Sequence, residues 1–459
     1  MMYKLAPILA IIITVFLASC AGGPKFSYEE DPELQVLMES PGVPYPDGSF
    51  AVISDLHIYD PELGTEGEAF EEYLGDDRKL LRESVELLYN AVTKIGEKPP
   101  DFVLVPGDLT KDGALSSHRI AAHGLRALQE YGVKVFVVPG NHDVLNPHAY
   151  SYQGAETVPV QSITPDEFRE MYWDSGYGSA VMLHDGSLSY VAEPVEGLWI
   201  LAMDPCRYKE NEAEDYPVTD GRFSNETLAW IERVLIRALR EGKAVIGMMH
   251  HGILEHYETQ NKYYGEYIVD NYRQISEMFA HYNMRLVFTG HYHAQDIAHK
   301  QFDSGKWLYD IETGSLVTYP CPVRYIQFTG NTAFVQTETI DSLPSFQDRG
   351  ISFREYSYDY VFAGIEGIAY ETMRDYRMRE NESRRLAPLI ARAMVAHYAG
   401  DEQFDGTERE MLPKKGLSLM GRLVAGNRRP FIRGLWNDPE PEDNRLRIDL
   451  GNGEWSSAP

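Results

Sequence analysis

Histidines, aspartates and one asparagine recur in five short motifs between residues 55 and 293. The motifs are Asp55-Leu56-His57, Gly107-Asp108, Gly140-Asn141-His142-Asp143, His250-His251 and Gly290-His291-Tyr292-His293. Each motif alone is typical of an ordinary turn or helix cap. Together they supply imidazole, carboxylate and amide ligands without a thiolate, a set that suits Zn, Mn or Fe. The sequence therefore predicts a site for divalent metal ions.

The motifs follow short apolar runs that predict buried strands. These runs cover residues 50–54, 102–105, 135–138, 244–249 and 286–289, and a further run covers 198–203. Stretches with apolar residues at helical spacing lie between them, which indicates a layered α/β core. In such cores ligands bind beyond the carboxyl ends of the strands, where loops hold side chains over a rigid edge. We therefore expect the five motifs to converge at that edge.

A glycine stands directly before three of the candidate ligands, at Gly107, Gly140 and Gly290. We expect a sharp turn at each strand end, with backbone angles that other residues avoid.

The composition divides the chain into five predicted segments. These are a signal peptide over residues 1–20, a tether over 21–48, the α/β domain over 49–344, a mainly helical module over 345–440 and a loose tail over 441–459. Residues 307–340 hold β-branched and aromatic runs with glycine-rich turns, which predict hairpins that complete a second sheet. In the module, a helical face over residues 386–397 lies between Ser383, a candidate cap, and Gly400, a candidate helix end.

The first residues predict export from a bacterial cytoplasm. An apolar run over residues 5–17 follows Lys4 and is short for a membrane span, as in the core of a signal peptide. Leu17-Ala18-Ser19-Cys20 resembles a bacterial lipobox, in which the cysteine is acylated and becomes the new N-terminus. A lipid anchor on Cys20 would hold the protein at a membrane, on its periplasmic or cell-surface face. An ordinary secretory signal with a chance cysteine is the alternative.

At the five motifs the sequence resembles the calcineurin-like metallophosphoesterase superfamily, whose pattern runs D-x-H, G-D, G-N-H-D/E, H and G-H-x-H. The resemblance covers residues 54–293 and extends more loosely through 312–315. It implies a four-layer α/β/β/α sandwich that hydrolyses phosphate esters at a centre of two divalent metal ions. The mainly helical C-terminal module would be added to that sandwich.

The resemblance also implies a role for each motif residue. The first metal ion would be held by Asp55, His57 and His293, and the second by Asn141, His250 and His291. Asp108 would bridge both ions. His142 would contact the substrate phosphate and assist departure of the leaving group, and Asp143 would orient His142.

Two assignments around these ligands rest on position alone. His250 directly follows a predicted strand, and adjacent residues of an extended chain point in opposite directions, so we favour His250 over His251 as the ligand. His251 and Tyr292 are candidate substrate contacts. For Tyr292 ordinary packing is the alternative.

Two divalent ions about 3.5–4 Å apart can hold a hydroxide between them and clamp the attacking and leaving oxygens of an in-line displacement. Such a centre serves phosphodiesters, including cyclic nucleotides and other nucleotide- or phospholipid-derived diesters, which we take as the first candidate substrates. Phosphomonoesters and nucleotides are the alternative, because the leaving group is selected by loops outside the ligands. A surface-anchored interaction protein with a structural metal site is a third possibility, against which the complete ligand set argues.

The charge balance and the cysteines bear on partners and compartment. The 459 residues carry a formal net charge of −28, which repels polyanions and argues against nucleic acid as a partner. A phosphorylated small-molecule substrate would then be attracted locally, by bound cations.

Cys206 and Cys321 remain after removal of the signal peptide, and the sequence leaves open whether they pair or stay as separate thiols.

Overall fold

The computed structural model describes residues 25–39, 42–75, 77–400, 402–437 and 439–458. Its strands are β1 (Gly48–Val52), β2 (Phe102–Pro106), β3 (Lys134–Val138), β4 (Tyr150–Gln153), β5 (Glu156–Pro159), β6 (Ala180–Leu183), β7 (Tyr190–Val195), β8 (Leu198–Ala202), β9 (Ala244–Met248), β10 (Leu286–Thr289), β11 (Asp296–Gln301), β12 (Trp307–Glu312), β13 (Pro322–Thr329), β14 (Thr332–Thr339), β15 (Arg445–Asp449) and β16 (Trp455–Ser457). Its α-helices are α1 (Pro32–Glu39), α2 (Glu68–Gly75), α3 (Ser84–Glu97), α4 (Leu115–Ala127), α5 (Pro165–Met171), α6 (Asn211–Glu214), α7 (Asn225–Glu241), α8 (Gln260–Tyr263), α9 (Tyr272–His281), α10 (Pro344–Gln347), α11 (Phe353–Asp375), α12 (Glu380–Ala399), α13 (Glu408–Met411) and α14 (Leu419–Trp436).

The strands form two large mixed sheets and one small hairpin. The first sheet has the order β16-β15-β14-β13-β1-β2-β3, and the second has the order β11-β12-β10-β9-β8-β7-β6. In the first sheet β1, β2 and β3 are parallel, and in the second β8, β9, β10 and β12 are parallel. The carboxyl ends of these parallel strands lead into the loops that carry the five motifs.

The main hydrophobic core lies between the two sheets. Phe50 of β1 stacks on Phe102 of β2 with ring centroids 4.7 Å apart, and meets Phe288 of β10 edge-on at 5.1 Å. Helices α3 and α4 contribute to the same core cluster, whereas α7 and α9 pack with alternate residues of β8 and β9 in a second cluster. The predicted α/β/β/α sandwich is confirmed.

The C-terminal module consists mainly of α11, α12 and α14, which pack against one another and against the loops of the sandwich. Its core cluster includes Tyr257 and Tyr292 from those loops. Helix α12 ends at Gly400 as expected, but it begins before Ser383, so the predicted cap is wrong. Glu382 accepts a hydrogen bond from the backbone nitrogen of Arg379 and starts the helix there.

Two predictions about the ends of the chain are wrong. Residues 441–459 were expected to be loose, but within the described part, 441–458, β15 and β16 extend the first sheet by pairing beyond β14. Within 21–48 the described residues are not a free tether, because Phe26 and Met38 are buried against the second core cluster. The alternation of buried and exposed residues in β15 is the signal that identifies that strand.

Residues 307–340 divide between both sheets. Strand β12 lies in the second sheet beside β10 and β11, whereas the β13-β14 hairpin pairs with β1 in the first. The expectation that this whole stretch completes a second sheet is therefore wrong in part.

Cys206 and Cys321 are both free, so the structure agrees with two separate thiols. Among the helices of the described ranges, none is long and apolar enough to cross a bilayer. The predicted signal peptide, with Cys20, lies outside the described residues.

Candidate metal centre

The five motifs converge on two groups of ligand atoms that share one aspartate. Ligand atoms of Asp55, His57, Asp108 and His293 all lie within 4.8 Å of one another, and so do those of Asp108, His250 and His291. All six residues are buried. Asn141 belongs to the second group by position, because its Oδ1 lies 3.2 Å from Nε2 of His250. The structure thus brings together all seven predicted ligands.

The first group has the chemistry of a cation site. Nε2 of His57 lies 3.0 Å from Nε2 of His293, and carboxylate oxygens of Asp55 and Asp108 lie 3.4 Å and 3.5 Å from these nitrogens. Burial lowers the pKa of both histidines, with Lys79 adding to the effect, so the imidazoles are neutral and have free lone pairs. In the described residues the two carboxylates have no lysine or arginine partner. A divalent ion fits this donor set.

The second group also suits a divalent ion, as the hydrogen bond at the far side of the His250 ring indicates. Nδ1 of His250 lies 2.9 Å from the carbonyl oxygen of Pro106, while its Nε2 lies 3.4 Å from Oδ2 of Asp108. A metal-bound histidine commonly donates its other ring N–H to a carbonyl in this way, which fixes the ring and leaves a lone pair for the ion.

The backbone is strained where the ligands lie. Asp55, His57, Asp108, His291 and His293 all have positive φ, between 39° and 79°. Residues with side chains rarely adopt this conformation, and each instance costs of order 1–3 kcal/mol. Five such residues in one cluster indicate that the surrounding fold holds the loops in a functional arrangement.

The glycines before the ligands are required for two different reasons. Gly107 has φ 94°, as the sequence predicts, but Gly140 and Gly290 do not have positive φ, so the expectation of unusual backbone angles is wrong for them. Glycine is required at these two positions by close approach. A Cβ on Gly140 would overlap the carboxylate of Asp108, and a Cβ on Gly290 would overlap Ser54 and Asp55.

His251 lies beside the second group without joining it. Its ring is fully buried and its Nε2 lies 2.8 Å from the carbonyl oxygen of Thr219, which also lies 3.2 Å from Nε2 of His291. The structure therefore places His251 next to a predicted ligand, and not on a surface that a substrate could reach.

His142 is oriented by a residue that the sequence analysis missed. Its Nδ1 lies 2.9 Å from Oδ1 of Asp112, and its ring is partly exposed, with 22% of the side chain accessible. Burial alone would raise the pKa of Asp112, but Lys111 and the hydrogen bond from His142 hold it well below its usual range. Asp112 is therefore a carboxylate that fixes the ring of His142.

The predicted role of Asp143 in orienting His142 is wrong. Its carboxylate accepts hydrogen bonds from the backbone nitrogens of Leu109, Thr110 and Gly140, at 3.1, 2.9 and 2.8 Å. Asp143 therefore fixes the two loops that carry Asp108 and Asn141. Backbone turn contacts of this kind leave no distinct pattern in a sequence.

Two cationic side chains, also missed from the sequence, lie beside the first group. Burial lowers the pKa of His293, and the charges of Arg78 and Lys79 add to that effect against the opposing pull of Asp55. Both cations precede α3, within a chain of strongly negative net charge. Lys79 is paired with Asp77, 3.1 Å away, whereas the guanidinium of Arg78 donates a hydrogen bond to the hydroxyl of Tyr398.

A buried polar network anchors the loops that carry His250 and His291. Asp310 accepts hydrogen bonds from the backbone nitrogens of Ile253 and Leu254 and from the hydroxyl of Thr289, and Nε2 of His256 lies 3.2 Å from the same carboxylate. This network joins β12 to the ends of β9 and β10, so it stabilises the loops that carry His250 and His291.

Comparison with known proteins agrees with this geometry. A model of the calcineurin-like phosphoesterase family matches residues 48–295, more than half of the chain. A stretch of 92 residues is 37% identical to the DNA double-strand break repair protein Mre11 of Methanocaldococcus jannaschii and covers 19% of this chain and 23% of that protein, so the match spans less than a quarter of the relative.

Similar solved structures include a dimetal phosphatase from Danio rerio, with a TM-score of 0.44 and 16% identity over 64% of this chain and 97% of that chain. Another is the phosphopantetheinyl hydrolase of Mycobacterium tuberculosis, with a TM-score of 0.30 and 14% identity over 58% of this chain and 89% of that chain. On the match of the family model, the chain belongs to the calcineurin-like phosphoesterase family.

Proposed function

We propose that this protein hydrolyses phosphodiesters at a centre of two divalent metal ions. The observation that carries the proposal is the position of Asp108, whose carboxylate belongs to both groups of ligand atoms. One carboxylate shared by two buried donor sets is what a pair of closely spaced ions requires. When bound, the ions would activate water and neutralise charge on the phosphoryl oxygens.

The residues of the chain divide the remaining tasks. The side chain of His142 is partly exposed beside His57, with ring centroids 5.1 Å apart, so it can reach a leaving oxygen and protonate it. Asp112 holds the ring in that orientation. Arg78, whose charge acts on His293 and whose side-chain partner is the neutral hydroxyl of Tyr398, attracts the phosphate group.

A diester suits the surroundings of the centre because organic groups can be accommodated on two sides. On one side is the partly exposed ring of His142. On the other side, the ring of Tyr267 lies 4.5 Å from that of His291 and 4.9 Å from that of Tyr292, between the ligands and the C-terminal module. An aromatic wall favours an ester substituent there over a charged phosphoryl oxygen.

Phosphomonoesters are a second candidate, which the charge of Arg78 favours. Arg78 acts on His293 and would help to balance the second negative charge of a monoester, whereas Lys79 is paired with Asp77. The ratio of two turnover rates separates the candidates.

The test uses purified protein stripped of metal and reloaded separately with Mn, Zn or Fe. We expect turnover of bis(p-nitrophenyl) phosphate to exceed that of p-nitrophenyl phosphate in at least one metal form, and to be lost in Asp108→Asn. Asp303→Asn, which changes an exposed aspartate in the β11-β12 turn, is the matched control and should retain activity. Faster turnover of the monoester would favour the second candidate, and two bound metals without turnover of either ester would end the hydrolase proposal.

We propose that Cys20 carries a lipid anchor that holds the enzyme at an extracytoplasmic membrane surface. The proposal rests on Leu17-Ala18-Ser19-Cys20 alone. Expression in a bacterial host fed labelled palmitate should label the wild type in the membrane fraction, and Cys20→Ala should remove the label. A labelled Cys20→Ala protein would contradict the proposal.

A further inference from the structure

A cavity of about 250 Å³ lies between the metal centre and the C-terminal module. On the side of the centre it is lined by Arg78, Tyr267 and Tyr292. Tyr292 stands in sequence between two predicted ligands, and the ring of Tyr267 lies 4.5 Å from that of His291. The ring of Tyr267 therefore lines the cavity and also contacts His291, so one tyrosine ring separates this wall of the cavity from the second group of ligand atoms.

The walls that the module contributes are mainly aliphatic. Helix α11 contributes Ile365, Ile368, Ala369 and Met373, α12 contributes Ile390 and Met394, and α14 contributes Val424 and Ile432. The module also contributes Thr372, Tyr376, Tyr398, Arg428 and Phe431, so polar and aromatic side chains share the wall with the aliphatic ones. The eight aliphatic side chains offer an alkyl chain an apolar surface, whose burial is favourable.

Two guanidinium groups also line the cavity. Arg78 donates a hydrogen bond of 2.8 Å to the hydroxyl of Tyr398, and Arg428 donates one of 2.7 Å to the hydroxyl of Tyr376. Within the described part of the chain, neither group has a carboxylate in ion-pair contact. These two arginines with neutral partners therefore place positive charge at the lining of an otherwise mainly apolar cavity, in a chain of net charge −28.

We propose that this cavity binds an aliphatic ester group of the phosphodiester substrate, with Arg78 at its entrance in contact with the phosphate. The substrate class is thus a phosphodiester with an alkyl chain on one side and the leaving alcohol on the side of His142. This inference rests on the proposed diesterase function and adds the chemical nature of one substituent. The C-terminal module would thereby select the substrate.

The test is a chain-length series on the metal-loaded, full-length wild type. The probes are p-nitrophenyl alkyl phosphates with methyl, butyl, hexyl and octyl groups, which share one leaving group and differ only in the part that would enter the cavity. We expect kcat/KM to rise by up to about fourfold for each added methylene until the cavity is full. Thymidine 5′-(p-nitrophenyl phosphate) should be a poorer substrate than the hexyl ester.

Two matched variants locate the effect. Ala369→Phe introduces a large side chain into the wall formed by α11, and should reduce the ratio of the octyl to the methyl ester to near one. Ala363→Phe makes the same substitution at an exposed position of the same helix and should leave the series unchanged. If Ala369→Phe does not fold, competitive inhibition of the wild type by n-alkylphosphonates of the same lengths takes its place, with inhibition constants that fall as the chain grows.

Arg78 is tested separately. Arg78→Gln should lower kcat/KM for every ester by about 10- to 100-fold, since a hydrogen bond to a charged group is lost, without reducing the metal content. Arg384→Gln, on the exposed face of α12, is the control and should have no effect.

The outcomes separate the two levels of the proposal. Hydrolysis of the methyl ester with no dependence on chain length, or a preference for the thymidine ester, would overturn the cavity assignment and leave the diesterase in place. No hydrolysis of any diester by metal-loaded protein would overturn the diesterase itself.

Discussion

Nδ1 of His142 lies 2.9 Å from Oδ1 of Asp112. Asp112 comes four residues after Asp108, the aspartate that both ligand groups share. The same loop therefore supplies the shared carboxylate and the group that orients the histidine. Lys111 pairs with Asp112 and lies 3.8 Å above the ring of Tyr73, so the carboxylate is itself held from a second direction. The position of His142 relative to the metal centre is thus set by one short segment after β2.

Asp112→Asn should reduce kcat for the preferred ester by about 10- to 100-fold while both metals remain bound. The amide can no longer balance the charge that His142 carries when it donates a proton. Steady-state kinetics together with metal analysis would check this. A variant with full kcat, or one that has lost metal, would show that Asp112 does not act through His142.

Gly140→Ala should reduce metal content and thermal stability, because the added Cβ would overlap the carboxylate of Asp108. Gly367→Ala is the matched control, since a Cβ there meets nothing within 4 Å in the middle of α11. The control should gain up to roughly 1 kcal/mol from the better helix former. Metal content by mass spectrometry and melting temperature are the measurements, and a Gly140→Ala protein that holds metal like the wild type would contradict the structure.

The sequence predicts the centre well because its ligands follow apolar strands in a fixed order, and parallel strands bring their carboxyl ends to one edge. Asp55, Asp108 and His250 are found this way. Asp112 lies only four residues after Asp108, which makes it a candidate for a residue near the centre. Its contact with His142 is not visible in the sequence, because His142 is distant along the chain. The role of Asp143 could not be predicted, since its partners are backbone nitrogens that every residue carries.

The edges of the fold were harder to predict. The hydrophobic alternation of Leu446 and Ile448 is short and follows a proline- and acid-rich stretch. The composition of that stretch favours a loose tail, and the short alternation alone does not predict a strand. The contacts between Tyr292 and the module depend on how α11 and α12 lie across the loops, which no local pattern records.

Stability should fall as the pH is lowered through the range in which His118 titrates. Burial lowers the pKa of His118 to about 4, against an ordinary value of 6.5. Between pH 6.5 and pH 4 the unfolded chain binds a proton on this histidine that the folded protein excludes. The contribution of His118 to the free energy of unfolding is therefore complete above pH 6.5 and is lost as the pH falls toward 4.

Protonation of His118 should lower the free energy of unfolding by roughly 3 kcal/mol between pH 6.5 and pH 4. Urea unfolding of metal-free protein between pH 7.5 and 4.5 would measure it, and His118→Gln should flatten the dependence. An unchanged slope in the variant would show that other groups are responsible.

Ile448→Ala should destabilise the protein by about 2–5 kcal/mol, because Ile448 is fully buried in β15. Glu454→Ala, at an exposed position between β15 and β16, should change stability by less than about 0.5 kcal/mol. Equal stabilities for the two variants in chemical unfolding would show that the C-terminal strands are not part of the fold.

The two-metal centre is tested most directly by the anomalous diffraction of crystals grown with Mn or Zn. Two peaks about 3.5–4 Å apart are expected, one on each side of the Asp108 carboxylate, with Asp55, His57 and His293 around one and Asn141, His250 and His291 around the other. A single peak, or two peaks that do not share Asp108, would contradict the proposed centre.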